Sequence, residues 1–319
     1  MILCCGEALI DMIPTSGDTG TVSFTPHPGG AVFNTAIALG RLRTHTWFLS
    51  GLSSDLFGDQ LRHALAGSNV DATLAIMSDR PTTLGFVQLT DGHATYCFYD
   101  ENTAGRMLEP SQIPNIPKDV STLYFGGISL ISEPCAEFYL ALAERHSHKR
   151  VVMMDPNIRA NFLTDEDRYR RRLGKMIACT DILKVSDEDL NWIIPGQLTL
   201  YEKAAQIRET GPEIVVLTRG SDGASALFGD DTIIEVPAQL VEVVDTVGAG
   251  DTFNAGVLSK LSELGLLKKD ALPNIASSDI RAALEHGARV ASVTVSRAGC
   301  NPPWAHELAL AGAGLTDAE

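Results

Sequence analysis

The sequence predicts an α/β fold, in which a doubly wound, mainly parallel sheet carries helices on both faces. Short apolar runs typical of buried strands alternate with helix-length segments for most of the chain. That alternation is typical of parallel sheets covered on both sides. The chain has 319 residues, of which 45% are hydrophobic, so it can bury a large core. We therefore expect one domain spanning residues 1–319.

The strand candidates are continuous apolar runs rich in β-forming residues. In chain order they are "MILCCG", "TWFLSGLS", "TLYFGG", "VVMMDPN", "DILKVS" and "EIVVLTRG". The helix candidates between them place apolar residues at roughly three- and four-residue spacing. They are "AVFNTAIALGRL", "LFGDQLRHALAG", "CAEFYLALAERH", "DRYRRRLGKMIA" and "TFNAGVLSKLSELG". In such a fold, ligands bind at the carboxyl ends of the strands, where loops lead into helices.

Two segments interrupt the alternation and predict a small β lid. Residues 12–28 are rich in proline and glycine. Residues 83–99, "TLGFVQLTDGHATYCFY", contain two strand-like runs around Asp91-Gly92, a strong hairpin signal. We expect the lid to be formed by residues of about 12–28 and about 82–106 and to be attached to the α/β core.

The charge of the chain restricts its partners. A formal net charge of −15 argues against nucleic acid and acidic membranes, since both require a basic surface. A phosphate-handling protein with this charge must create positive potential locally, with backbone N–H groups, a few Arg or Lys side chains and metal ions.

The cysteines and the N-terminus indicate a cytoplasmic protein. The six cysteines form no C-x-x-C pair and are expected to be reduced core thiols. No segment approaches the roughly 18 apolar residues of a membrane span. The first residues, "MILCCGEALIDMIP", lack the basic start of a signal peptide and contain two acids in the apolar stretch.

The segment "DTVGAGDTFNAG", residues 245–256, predicts an anion-binding loop. Gly248 and Gly250 allow a tight turn, and the free N–H groups at the start of the following helix would converge on a phosphate. Asp251, on the first helical turn, would be held ionised and could accept a hydroxyl proton. By itself, a lone Gly-Asp is more typical of an ordinary N-terminal helix residue favoured by the helix dipole. The dinucleotide fingerprint does not fit, because Phe253 stands at its third glycine position.

The complete string resembles the second signature of the ribokinase, or PfkB, family of sugar kinases. The first family signature is also present, as Gly29, Gly30 and Asn34 followed by "TAIALGRL". Further similarity is found in "GEALID", "DPNIR", "LTRGSDG" and "SRAGC". The resemblance covers nearly the whole chain and implies a ribokinase-like fold. It also implies transfer of the γ-phosphoryl group of ATP to a primary hydroxyl of a sugar.

The resemblance assigns roles to residues of this chain. Asp251 would be the general base, and the N–H groups of Gly248, Ala249 and Gly250 would bind the transferring phosphoryl group. The sugar would be bound by Asp11, Gly29, Gly30, Asn34, Arg159 and Asp251. The nucleotide would contact Asn157, Thr218, Gly220 and Gly223, together with Gly248 and Gly250.

Two metal sites follow from the resemblance. Mg²⁺ enters with ATP, since phosphoryl transfer requires it to neutralise developing charge. The family commonly has N-x-x-E after the strand "DILKVS", whereas this chain has Ser186 and Asp189. We expect Asp189 to orient a water bound to Mg²⁺. A K⁺ site is expected at the loop formed by Asp245, Val247, Thr294 and Gly299.

The substrate is predicted within the family. The D-P-N-x-R form at residues 155–159 is common among fructokinases and acid-sugar kinases. Acid-sugar kinases usually carry Tyr-Arg on the second lid strand, where this chain has Tyr99-Asp100, so we favour fructose over 2-keto-3-deoxygluconate. Arg106 could compensate, which keeps the acid sugar as an alternative. Another sugar or a nucleoside remains an alternative substrate. A non-catalytic sugar-binding regulator remains an alternative function. The resemblance further implies a homodimer formed through the lid.

Overall fold

The structure is a computed structural model that describes residues 1–16, 22–90 and 93–313. The strands in chain order are β1 (Ile2–Cys5), β2 (Leu9–Ser16), β3 (Val22–Gly29), β4 (Thr46–Leu49), β5 (Gly51–Ser53), β6 (Val70–Asp71), β7 (Ile76–Ser78), β8 (Leu84–Thr90), β9 (His93–Tyr99), β10 (Thr122–Gly126), β11 (Val151–Asp155), β12 (Ile182–Ser186), β13 (Ile214–Thr218), β14 (Ala224–Phe228) and β15 (Thr232–Val236). The helices are α1 (Ala31–Arg41), α2 (Leu56–Gly67), α3 (Cys135–His146), α4 (Glu166–Ala178), α5 (Asp187–Ile193), α6 (Leu200–Arg208), α7 (Ala249–Glu263), α8 (Ser277–Val295) and α9 (Ala305–Ala313).

The main sheet has nine strands in the order β15-β14-β13-β12-β11-β10-β1-β4-β6. All strands from β13 to β6 in this order run parallel, and β14 and β15 add an antiparallel edge. The chain winds outward from β1 in both directions, which confirms the doubly wound, mainly parallel prediction. The carboxyl ends of β1, β10, β11 and β12 therefore meet at one edge of the sheet, where the order of strands reverses.

Alternation along the central strands divides the core between the two faces of this sheet. Ile2 and Cys4 pack in one apolar cluster with residues of α1, α2, α7 and α8. Leu3 and Cys5 pack in a second cluster with residues of α3, α4, α5 and α6. Since both faces are covered, the strands have to be continuously apolar. A charged side chain on one of them is therefore notable.

The predicted helices and strands are present, and the structure adds others. All six predicted strand segments and all five predicted helices have counterparts in the observed elements. Helices α5, α6, α8 and α9 and strands β14 and β15 were not predicted. Helix α8 ends in "ASVTV", whose β-branched residues favour a strand locally, but the helix packs extensively along α7.

A second, four-stranded sheet in the order β3-β2-β8-β9 contains the segments for which we predicted a lid. The predicted turn at Asp91-Gly92 and residues 17–21 of the first lid segment lie outside the described residues. The register pairs Asp11 with Gly85 and Gly85 with Phe98, so these three share one face of the lid. Phe24, Phe86 and Tyr99 lie on the other face in edge-to-face contact.

The six cysteines are free, as expected, but they are not all core residues. Cys4, Cys5 and Cys135 are buried, whereas Cys179 and Cys300 are half-buried. Cys97 is exposed on the lid, because β9 is an edge strand of a thin sheet. Among the helices that the structure describes, none combines the length and the apolar character needed to cross a membrane.

Candidate active site

The predicted anion loop lies at the start of α7. Gly248 precedes the helix with a left-handed φ of 77°, a conformation that L side chains rarely adopt. A Cβ at this position would lie 2.2 Å from Cys300 Sγ, so space also requires glycine. The Ala249 N–H donates to the Thr246 carbonyl at 3.2 Å. Within the described residues, the amides of Gly248, Gly250 and Asp251 have no hydrogen-bond partner. The binding of an anion by Ala249 stays a prediction, and would require its present bond to be shared or released.

Asp251 is a buried carboxylate at the first turn of α7, and 8% of its surface is exposed. Asn34 Nδ2 donates to its Oδ2 at 2.9 Å, and Thr35 Oγ1 donates to its backbone carbonyl at 3.0 Å. Burial raises the pKa of Asp251 to about 7, although the Asn34 hydrogen bond opposes this shift. The expectation that the start of α7 holds Asp251 ionised is therefore wrong, because burial outweighs the helix dipole. Asp251 exchanges its proton near neutral pH, which suits a general base.

A cavity of about 350 Å³ opens in front of Asp251. The predicted sugar- and phosphoryl-site residues that line it are Asp11, Gly30, Asn34, Arg159, Gly248, Ala249, Gly250 and Asp251. Asn157, which we predicted as a nucleotide contact, also lines this cavity. Phe98 of the lid and Phe162 of the core also line it, with their ring centroids 5.0 Å apart in a T-shaped contact. The lid thus touches the core across the cavity. The volume is within the range of small-molecule sites.

Asp11 reaches this cavity from the lid, and burial raises its pKa to about 6. Gly29 lies on the paired strand β3, two residues after His27, which is the residue opposite Asp11, and it does not itself line the cavity. A Cβ on Gly29 would lie 2.1 Å from Asp11 Oδ2. Its role is therefore to leave room for the Asp11 carboxylate.

A second cavity, of about 470 Å³, lies on the other side of the anion loop. Thr218, Gly220 and Gly223, the predicted nucleotide-side residues, line it. Much of its remaining wall is apolar and includes Val241, Phe253, Ala288, Ala291 and Val295. Thr246, Ala249 and Gly250 line both cavities. The two cavities therefore meet at the anion loop.

The segment after β11 turns sharply into the first cavity. Asn157 adopts a left-handed φ of 44°, and its N–H donates to Asp155 Oδ1 at 3.2 Å. Asp189 Oδ1 accepts the Ile158 N–H at 3.0 Å, which fixes the turn to the start of α5. Arg159 is exposed and, in the described part of the chain, donates only to the backbone carbonyls of Asn157 and Ile158. Its guanidinium is therefore available to an anionic ligand.

The four residues predicted for K⁺ come together beside the anion loop. Asp245 Oδ1 accepts the Val247 N–H at 3.0 Å, and its Oδ2 accepts the Gly299 N–H at 2.9 Å. The Asp245 N–H donates to the carbonyl of Val295, which follows Thr294. The Thr294 carbonyl already accepts the Arg297 N–H at 3.1 Å. K⁺ binding here stays a prediction.

Four polar residues of the site were not predicted: Glu7, Asp155, Lys184 and Asn254. Lys184 Nζ contacts Asp155 Oδ2 at 2.9 Å, and Asn254 Nδ2 donates to the same oxygen at 2.7 Å. Glu7 accepts the backbone N–H groups of Ala31 and Ser129. The sequence contained one signal for this network, a lysine within the apolar run "ILKVS". Because burying a lone cation is costly, such a lysine indicates a buried acidic partner.

Arg106, the predicted compensating cation for an acid sugar, is already paired. Its Nη1 contacts Asp100 Oδ1 at 2.6 Å, and its Nε donates to the Glu133 carbonyl at 2.9 Å. Ser132 Oγ donates to the second oxygen of Asp100. Arg106 does not line the cavity in front of Asp251. Neither member of the pair is therefore placed to bind a substrate carboxylate.

Comparisons with known proteins show what the whole chain is similar to. The family model of the pfkB family carbohydrate kinases matches residues 1–307. A fructokinase of Rhizobium leguminosarum bv. trifolii is 46% identical over 282 residues, which are 88% of this chain and 86% of that protein. A fructokinase from Xylella fastidiosa with bound ATP has a similar structure, with a TM-score of 0.89, 25% identity and 98% of both chains covered. A fructokinase from Vibrio cholerae O395 in a fructose-, ADP- and calcium-bound form gives a TM-score of 0.81 at 25% identity, over 94% of both chains.

Proposed function

Because the chain belongs to the pfkB family of carbohydrate kinases, we propose that it phosphorylates fructose on a primary hydroxyl, with ATP as the donor. One observation carries the proposal: two cavities meet at the anion loop, beside a buried aspartate. Fructose would occupy the cavity that contains Asp11 and Asn34. The nucleotide would occupy the cavity that contains Thr218 and Gly223, with its terminal phosphate at Gly250.

Each group of residues at the two cavities has a separate role in the proposed phosphoryl transfer. Asp251 removes the proton of the attacking hydroxyl, since its carboxylate faces the sugar cavity and titrates near neutral pH. The free amides of Gly248 and Gly250, at the positive end of α7, stabilise charge on the transferring group. The Phe98–Phe162 contact already brings the lid against the core at this cavity, and fuller closure of the lid there would exclude water and so disfavour hydrolysis of ATP.

Two cations complete the proposal. Mg²⁺ bound with ATP would neutralise charge on the phosphates. The Asp189 carboxyl is held by the Ile158 N–H and by the Ser186 side chain, and Asp189 lines neither cavity. Its orienting of a metal-bound water is therefore proposed on the family resemblance alone. A K⁺ ion held by carbonyls around Asp245 and Thr294 would stiffen the anion loop.

Two observations favour fructose as the substrate: the charges that line the cavity and the similarity of the chain to a fructokinase. The acids that line the cavity, Glu7, Asp11, Asp155 and Asp251, outnumber its two cations, Lys184 and Arg159. Lys184 is paired with Asp155, and Arg106 is held by Asp100 instead of facing the cavity. A neutral sugar fits these surroundings better than a sugar acid. The 46% identity to a fructokinase supports the same choice. Retention of Asp251 and the anion loop disfavours a non-catalytic regulator.

An ADP-release assay tests the proposal. We expect turnover with fructose to exceed that with 2-keto-3-deoxygluconate, ribose and adenosine, with Mg²⁺ present and K⁺ both present and absent. Preferential turnover of another substrate would refute the fructose assignment, and sugar binding without ADP release would favour the regulator. We also propose a homodimer and a cytoplasmic location.

A further inference from the structure

A buried cation lies behind the anion loop. Lys184 is on β12, with 5% of its surface exposed, and its ammonium contacts Asp155 Oδ2 at 2.9 Å. Asn254 donates to the same oxygen and lies three residues after Asp251 on α7. The Lys184–Asp155 pair is therefore attached directly to the helix that carries the proposed base.

The ammonium is also close to the loop itself. A Cβ built on Gly250, the residue before Asp251, would lie 3.3 Å from Lys184 Nζ. Of the described residues that line the sugar cavity, Arg159 is the only other Lys or Arg, and it is exposed. Because Lys184 is buried and Arg159 is exposed, the charge of Lys184 is screened much less than that of Arg159.

The remaining groups around Asp251 are mostly acidic. Glu7 and Asp155 both raise the pKa of Asp251, after the larger effect of burial, whereas Asn34 and Lys184 lower it. Other titratable groups that face this region from neighbouring elements are Asp11 on the lid, Tyr124 on β10, Asp189 on α5, which acts on Lys184, and Cys300 before α9. Lys184 is thus the cation that opposes the acidic groups at Asp251.

We infer that Lys184 is a positioning residue that, balanced by Asp155, sets the proton affinity of Asp251 and hence the lower pH limit of the reaction. The inference rests on the proposed function, because it assigns Asp251 as the base. The two members of the pair act in opposite directions. Removing the ammonium leaves Asp155 facing Asp251, which then holds its proton to higher pH. Removing the Asp155 charge leaves the ammonium uncompensated, and Asp251 then loses its proton at lower pH.

The test is the pH dependence of kcat/KM, which reports the titration of the free enzyme. ADP release with fructose is measured for the wild type, Lys184→Met and Asp155→Asn across pH about 5 to about 9. We expect the acid limb to move upward by roughly one pH unit in Lys184→Met and downward by a similar amount in Asp155→Asn. The double variant should return toward the wild-type limb.

Lys269→Met is the matched control. Lys269 forms another partly buried pair, with Asp181, which precedes β12 at the opposite end of that strand. The acid limb of the Lys269→Met profile should coincide with that of the wild type. If the pair were purely structural, both variants would have lower turnover, but the acid limbs of their kcat/KM profiles would not separate. Acid limbs that coincide, or that move in the same direction in Lys184→Met and Asp155→Asn, overturn the inference.

Folding and the proposed function are checked separately. Thermal melting shows whether each variant is folded. If Lys184→Met does not fold, the test rests on Asp155→Asn, whose acid limb of kcat/KM must move to lower pH. If the wild type prefers another sugar, only the fructose assignment fails, and the profiles are recorded with that sugar. If no sugar is turned over, the proposed function fails before the pair is tested.

Discussion

The proposed general base, Asp251, is a carboxyl group in a buried position. Asp251→Asn keeps the shape of the side chain and can still accept the Asn34 hydrogen bond, but it cannot accept a proton. We expect ADP release to fall by roughly 10²–10⁴-fold, the usual contribution of a general base. Near-normal turnover by a folded variant would exclude Asp251 as the base.

The same substitution should stabilise the fold at alkaline pH. The pKa of Asp251 is raised from 3.8 to about 7, so its proton is bound more tightly in the folded state. The stability that this proton provides is complete below 3.8 and is lost as pH rises through about 7. Asp251→Asn should therefore exceed the wild type in free energy of unfolding by a few kcal/mol at about pH 8, and by much less at about pH 4. Denaturant melts at both pH values measure this, and an equal difference at both would contradict it.

Gly248 is required by both backbone conformation and space. Gly248→Ala would place a methyl group against Cys300 and strain a left-handed residue, so the anion loop has to shift. We expect kcat to fall by about tenfold or more, since displacements of about 1 Å near reacting groups are costly. Gly265→Ala is the control, because Gly265 has a similar φ of 72° but no atom within 4 Å of the added Cβ. It should lose stability and retain kcat; comparable losses of kcat in both variants would exclude a loop-specific effect.

At the level of elements, the pairing of β2 with β3 determines where Asp11 points. Gly29→Ala would push the Asp11 carboxylate aside, since the new Cβ would lie 2.1 Å from its Oδ2. We expect KM for the sugar to rise by about tenfold, with a smaller change in kcat, because substrate binding is affected more than the base. Gly105→Ala, also in the predicted lid region, meets only an ordinary contact at 3.7 Å and should change neither constant. An unchanged KM in Gly29→Ala would remove Asp11 from the sugar site.

The elements also show what the sequence could predict. Apolar runs and helical periodicity identified the parallel core strands and the helices beside them, because those patterns are local. The Asp155–Lys184–Asn254 network could not be found in this way. Asn254 and Asp155 are 99 residues apart, and they meet only because α7 packs over the carboxyl end of β11. Similarly, the anion loop was recognised from a contiguous string, whereas the pairing of Arg106 with Asp100 had to be seen in the folded chain.

At the level of the whole molecule, the lid has one face toward the cavity in front of Asp251 and another toward solvent. The outer face carries Phe24 and Tyr99, which are 41% and 62% exposed. β3 and β9 are the edges of the lid sheet, and exposed edges with apolar side chains readily pair with another chain. These features support the homodimer that we propose through the lid.

Phe24→Lys tests that assembly. A charge on the outer face should dissociate the dimer, so light scattering after size-exclusion chromatography should report the mass of one chain instead of two. Leu264→Lys is the control, because Leu264 has the same exposure of 41% but lies at the end of α7, away from the lid. It should stay dimeric. If the wild type is already monomeric, or if both variants dissociate equally, the lid is not the interface, and its outer aromatic residues serve only to hold β3, β8 and β9 together over the sugar.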